Sequence, residues 1–379
     1  MANRRIRLVF TAAALVPLTL LAAACSSSSS STPAASTSPK STAYTGPALP
    51  TSPAKANASI TETGSTLLYP LFGSWATAYQ KLFTQVTITA GGTGSGTGIA
   101  DATTGTVNIG ASDAYLSSSD RTADPNLMNI AVAISAQQVN YNVPGVKSLK
   151  LDGTVLAEIY SGKITNWNDP AIAKLNPGVT LPNLKIVPLH RADSSGDTFL
   201  FTTYMNSQDP SVWSSSEIGT TVSWPSVSGA LAETGNSGMV AGCAATKGCV
   251  AYIGISYLAK TQAAGLGQAM LKNGDGNYES PSAATIAAEA SYFTSKTPAN
   301  ESISMIDGPV SNGYPDINYE YLIVSQKQSS SVTTQDLRAL LYWAVTAGQS
   351  EATYLSAVDF QPLPSSVVTL SENQIKKIG

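Results

Sequence analysis

From Ile60 to the C-terminus, stretches with strand character alternate with stretches of helical spacing, and this alternation limits the fold more than any other feature. The β-branched run Gln85-Val86-Thr87-Ile88-Thr89 reads as a strand, as do Thr106–Gly110, Ile186–Leu189 and Ile317–Val324. Between them, Leu71, Trp75, Ala78 and Leu82 fall on one face of a predicted helix. Thr198–Met205 is predicted helical, and Gln335–Thr346 carries Leu337, Leu340, Leu341 and Val345 on one face. Such a succession implies an α/β fold whose ligands sit in loops at the C-terminal ends of strands. No internal repeat interrupts it.

The chain of 379 residues is long enough for two globular units. Only 12% of its residues are charged, and a net charge of −3 with no basic cluster argues against nucleic acid as a partner. Arg4, Arg5 and Arg7 precede a short apolar stretch, Leu8 to Ala24, broken by Pro17; residues 1–24 read as an export signal. Ala22-Ala23-Ala24 before Cys25 resembles a bacterial lipobox, so Cys25 is the expected lipidation site. Residues 25–57 are rich in Ser, Thr, Pro and Ala, cannot bury a core, and read as a disordered tether holding a folded body off a membrane. Cys243 and Cys249 remain, separated by a loop-like stretch, and in an oxidising exterior they are expected to form one disulfide. Two thiols and the distant His190 do not make a tetrahedral set, so no metal is expected.

Four loops share a chemistry. Gly91 to Gly98 reads G-G-T-G-S-G-T-G but satisfies no register of G-x-G-x-x-G, and no Lys follows as in a Walker A loop. Gly64-Ser65-Thr66, Gly94-Ser95-Gly96-Thr97-Gly98 and Ser194-Ser195-Gly196 each set small hydroxyl residues and bare backbone at a helix start; Ala111-Ser112-Asp113 adds a carboxylate. Each alone reads equally as an ordinary turn or N-cap. Together with Arg191, the one fixed cation near them, they specify a small, oxygen-rich, tetrahedral anion held by helix N-termini. The stretch Gly110-Ala111-Ser112-Asp113-Ala114 falls one residue short of the G-x-S-x-G elbow. A serine hydrolase would have to use His190, the sole histidine, as its base.

On these stretches the chain resembles the phosphate-binding protein family of the bacterial phosphate-specific ABC transporter. The matching segments are Gly64-Ser65-Thr66-Leu67, Gly94-Ser95-Gly96, Val107 to Asp113 and Arg191-Ala192-Asp193-Ser194-Ser195-Gly196. Leu151-Asp152-Gly153, Ile159 to Ile164, Ala171 to Gly178 and Asn318-Tyr319-Glu320-Tyr321 match as well. They keep the family's order across the whole folded part. The resemblance implies a two-lobed type II periplasmic-binding-protein fold with a ligand cleft between lobes and two crossover hinge strands. Lobe I would comprise residues 58–142 and 310–379, and lobe II residues 143–309. Carried over position by position, the phosphate ligands would be Thr66, Leu67 (through its N–H), Ser95, Asp113, Arg191, Ser195 and Gly196, with Asp193 orienting the arginine.

The chain departs from the family at two positions: Leu67 replaces a Phe, and Asp197 replaces a Thr that donates to phosphate. Asp197 then has two readings. Its side chain could cap the helix and turn away, leaving only its N–H for the ligand, or its carboxylate could face the cleft and accept from a second P–OH. The resemblance implies extracytoplasmic capture of inorganic phosphate by a lipid-anchored monomer, without cofactor, for delivery to the transmembrane subunits of an ABC permease. A cell-surface sensor or adhesin that kept the fold is the alternative, with a serine hydrolase or phosphatase behind it.

Overall fold

The computed structural model describes residues 48–379. Cys25 and the export signal lie outside the described residues. The last stretch of the expected tether does not: Ala54 is buried, its N–H donates to Asp336 Oδ1 at 2.8 Å, and Leu49 packs against the core. A few apolar residues within the Ser/Pro-rich tract are enough to dock its end on the folded body, which the overall composition hides.

Among the described residues, ten strands join in one sheet. They are β1 (Ala58–Gly64), β2 (Val86–Thr89), β3 (Ile109–Ser112), β4 (Leu127–Tyr141), β5 (Val187–Arg191), β6 (Leu231–Glu233), β7 (Cys249–Gly254), β8 (Gly267–Gln268), β9 (Met305–Ile306) and β10 (Asp316–Ser325). The path runs β2-β1-β3-β10-β4-β7-β5-β6, with β9 beside β10 and β8 beside β4. β1 pairs in parallel with β2 and β3, and β5 in parallel with β6 and β7. The antiparallel strands β4 and β10 lie between these parallel sets.

The fold class is therefore mixed α/β with a shared central pair. β4 pairs with β10 from Leu127 to Ala136, then with β7 from Gln137 to Tyr141. One long strand thus belongs to both halves of the sheet, and all fifteen of its residues are buried. A bulge interrupts its pairing with β10: Tyr321 faces Ala131 and Glu320 faces Ala133, so Val132 is left over.

Helices follow the parallel strands: α1 (Tyr69–Leu82) after β1, α2 (Ser95–Thr104) after β2, α3 (Gly196–Gln208) after β5 and α4 (Gly235–Ala245) after β6. α5 (Ser331–Val345) buries Leu337, Leu340, Leu341 and Val345, the face its spacing predicts. α1 buries Leu71 and Trp75 as expected, but its buried face is rotated away from Ala78, which is half-buried, and from Leu82. Leu71, Phe72, Trp75, Ala76 and Tyr79 are buried, whereas Leu82 is 62% exposed. The larger aromatic payload of Phe72 and Tyr79 sets the helix rotation, and Tyr79 stacks against Phe83 and Trp343.

Candidate anion-binding site

The loops leaving the C-terminal ends of β1, β2 and β3 meet those leaving β5 and β6. After β1 the chain turns through Ser65, Thr66, Leu67 and Leu68 before α1 begins. The Ser65 hydroxyl accepts from the Leu68 amide at 2.8 Å and donates to Asp113 Oδ1. Gly94 sits at positive φ and leads into α2, whose first residue is Ser95. The Ser95 hydroxyl donates to Asp113 Oδ2 and accepts from the Asp113 amide, both at 3.2 Å. Asp113, 2% exposed, thus holds two hydroxyl donors on separate oxygens.

From the other side, Arg191 ends β5. Its amide donates to Tyr252 Oη at 2.9 Å, which fixes the strand end on a buried aromatic cluster with Phe201 and Trp224. Its guanidinium forks onto Asp193, Nε to Oδ1 at 2.8 Å and Nη2 to Oδ2, and Asp193 is held in turn by the Gly235 amide at 3.0 Å. Burial opposes both charges. The Asp193 hydrogen bonds and charge nevertheless keep Arg191 raised, and Arg191 keeps Asp193 below its ordinary range. Ser195 caps α3 by accepting from the Asp197 amide at 3.1 Å.

Gly196 shows how closely the two sides approach. A methyl group there would fall 2.5 Å from Asp113 Oδ2 and 2.7 Å from Ser95 Oγ, so only a residue without a Cβ fits. Leu67 is fully buried against Gly254, and its carbonyl accepts from Ser256 Oγ at 2.8 Å. Among the described residues the amides of Thr66, Leu67, Ser95 and Gly196 have no protein acceptor. Unfilled donors at a strand end and at the first turns of helices are what an anion uses.

Asp197 does not turn away. Its Oδ2 takes Arg191 Nη1, Asn236 Nδ2 at 2.8 Å and Ser195 Oγ at 3.3 Å. Oδ1 accepts from Gln137 at 2.7 Å in the amide orientation that also lets Gln137 accept from the Ile253 amide. Ser195 takes the Asp197 amide, and the Asp197 carboxylate is directed at the Arg191 guanidinium, six residues earlier, and at Asn236 rather than at helix amides. Burial, then the Asp113 charge, raises the Asp197 carboxyl to about 7, with Arg191 and Asn236 opposing.

Asn236, which the sequence reading did not single out, stands in the first turn of α4. Its amide nitrogen donates both to Asp197 and to Thr66 Oγ1 at 2.9 Å, and its oxygen accepts from the Gly254 amide at 2.7 Å. The stretch Thr234-Gly235-Asn236-Ser237-Gly238 has the same small, polar make-up as the loops that were recognised, and that was the available signal. Cys243, near the other end of α4, is disulfide-bonded to Cys249 at the start of β7. Both are fully buried, so the bond lies inside the fold rather than on a surface loop. Ser112 donates to the Ala114 carbonyl at 2.6 Å, and His190 stacks on Trp224; neither is directed at the other.

Comparison with known proteins decides the family. Residues 42–347 match a PBP superfamily domain. The phosphate-binding protein PstS of Haemophilus influenzae is 31% identical over 325 residues, 85% of this chain and 94% of that one. This chain belongs to the PstS family. The PstS of Methanocaldococcus jannaschii, 31% identical over 344 residues, covers 84% of this chain and 86% of its own. Solved structures share the fold. A phosphate-binding protein from Stenotrophomonas maltophilia superposes with a TM-score of 0.64 at 21% identity, over 84% of this chain and 94% of that one. A high-affinity periplasmic phosphate-binding protein bound with phosphate superposes with a TM-score of 0.63 at 23% identity, over 82% and 92%.

Proposed function

We propose that this PstS-family chain captures inorganic phosphate outside the cytoplasm and delivers it to an ABC permease. One observation carries the reading: the amides of Thr66, Leu67, Ser95 and Gly196, which have no protein acceptor, belong to the loops that bring Ser95, Ser195 and Arg191 together around the buried acceptor Asp113. Donors alone would take any oxyanion. The acceptor selects one that still carries a proton, which at neutral pH means phosphate rather than sulfate.

In this reading residues 58–142 and 310–379 form one lobe and 143–309 the other, with β4 and β10 as the crossover strands. The lobe I donors are Thr66, Leu67 and Ser95, and the lobe II donors are Arg191, Ser195 and Gly196. Asp193 orients the guanidinium, and Asp197 shares a proton with the ligand. Because one arginine is already balanced by Asp193, the dianion is stabilised mainly by aligned amide and hydroxyl dipoles. The chain works as a monomer without a metal, held to the membrane through Cys25.

Calorimetric titration with phosphate, arsenate and sulfate tests the reading. Tight binding of the first two and none of the third is expected. No binding of phosphate would leave the sensor or adhesin alternative. Release of a Cys25→Ser variant into the medium tests the anchor.

A further inference from the structure

Beneath Asp113, on the side away from the donors just described, lies a second carboxyl, that of Glu320. Asn318 and Glu320, two apart on β10, share one face of the strand, and Ser135 of β4 lies opposite Asn318 on that face. Glu320 is 0% exposed, and so are Ser135 and, to within 4%, Asn318. Glu320 Oε1 accepts from Ser135 Oγ at 2.5 Å and from Asn318 Nδ2 at 3.2 Å. Both donors are neutral. Oε2 is buried and has no hydrogen-bond partner among the described residues; the Glu320 carboxyl as a whole lies within hydrogen-bonding reach of the Asp113 carboxylate. Asn318 ties the two together, its nitrogen also reaching the Asp113 carbonyl at 3.2 Å.

Two carboxyls facing one another out of water cannot both be ionised. The surroundings decide which one keeps the proton. Burial raises Asp113 as well, but Asp113 receives hydroxyl hydrogens from Ser65 and Ser95 on its two oxygens and lies in the field of Arg191, all of which favour its charged form. Glu320 has its donors on one oxygen only, and burial and the Asp113 charge push it well above the ordinary carboxyl range.

We infer that Glu320 is a specificity-determining positioning residue: as a neutral acid its Oε2–H donates to Asp113, leaving Asp113 only lone pairs to offer the ligand. If the proton lay on Asp113 instead, the same site would offer a bare sulfate oxygen a donor and lose its ground for choosing. This rests on the phosphate-binding reading above.

The test uses the exported full chain and its Glu320→Gln and Glu320→Leu variants, each titrated with phosphate and with sulfate. Gln places an N–H where the acid has its O–H, so the phosphate-to-sulfate preference is kept. Leu removes the donor, Asp113 takes up a proton, and the preference falls by about tenfold to a hundredfold, the range of one hydrogen bond to a charged group. A preference unchanged in Glu320→Leu, or lost equally in Glu320→Gln, overturns the inference. Infrared difference spectra of the wild type and Glu320→Gln check it independently of binding. A protonated carboxylic acid carbonyl stretch must be present in the first and missing in the second; its absence from the wild type also overturns the assignment. Failure of the wild type itself to bind phosphate would instead refute the underlying function, and the infrared result would still stand.

Discussion

Asn236 Nδ2 lies 2.9 Å from Thr66 Oγ1, across 170 positions of sequence, and joins the loop after β1 to the first turn of α4. The same nitrogen holds Asp197, and the Asn236 amide itself reaches Thr66 Oγ1 at 3.3 Å. A single side chain therefore joins the two loops and holds the Asp197 carboxylate beside them.

Replacing Asn236 with Ala removes that link and leaves the buried Gly254 amide unpaired. Phosphate affinity is expected to fall by about tenfold or more, with about 1–3 kcal/mol lost from stability. Titration calorimetry reads the first and thermal unfolding the second. Asn236→Asp is expected to be worse for binding, because it sets another carboxylate beside Asp197. Equal affinities for wild type and Asn236→Ala would show that the contact does not hold the cleft.

Asp113→Asn offers a donor where the wild type has only acceptors. Sites that hydrogen-bond a particular hydrogen reject the analogue lacking it by about 10⁴ or more. The variant should bind phosphate less tightly and sulfate more tightly, narrowing that gap. Competition titrations with the two anions measure it.

Asp197 gives the site a pH dependence whose sign is fixed. Its carboxyl rises from an ordinary 3.8 to about 7 in the fold, so the folded state holds the proton more tightly than the unfolded chain. Its contribution to stability is complete below pH 3.8 and lost as the pH rises through about 7. Asp197→Asn should raise the melting temperature relative to wild type at pH 8, and much less at pH 5. Phosphate affinity of the wild type should improve on going below pH 7 relative to Asp197→Thr. Parallel curves for the two proteins would return Asp197 to a capping role.

The expected disulfide holds the far end of the helix that carries Asn236. From Cys243 to Asn236 the helix runs seven residues, about 10 Å at the usual rise. A Cys243→Ala, Cys249→Ala protein should unfold at lower temperature, by less than the ~3 kcal/mol a 15-residue loop provides. It should also bind phosphate more weakly, by less than Asn236→Ala does. Unchanged affinity would mean that α4 keeps its position without the cross-link.

The α/β class and the strands around Ile88, Ile109 and Leu189 were legible because parallel strands leave short apolar β-branched runs, and the antiparallel β10 around Ile323 was legible because it is buried on both faces. The ligand loops were legible because helix starts after strands concentrate Gly, Ser and Thr. Asn236 and Glu320 escaped for opposite reasons. Asn236 had the right composition but followed a strand of only three residues, Leu231–Glu233, too short to register as a pattern. Glu320 lies inside a ten-residue strand buried on both faces, where an acid reads as a break in the apolar run until the partner strand is known. The direction of Asp197 was not readable at all, since it depends on Arg191 and Asn236 meeting through the fold.

The position of β10 has a consequence for the order in which the sheet can form. β10 fills the gap between β3 and β4, yet it is the last strand to be made, and every residue of β1 to β9 precedes it. Until Asp316–Ser325 arrives, β3 has an open edge and β4 lacks its longest partner. Contacts of such long sequence separation form slowly, after the loops that close them. The central sheet therefore cannot close before Ser325 is available, and its two halves lack the strand between them until late in the order of synthesis.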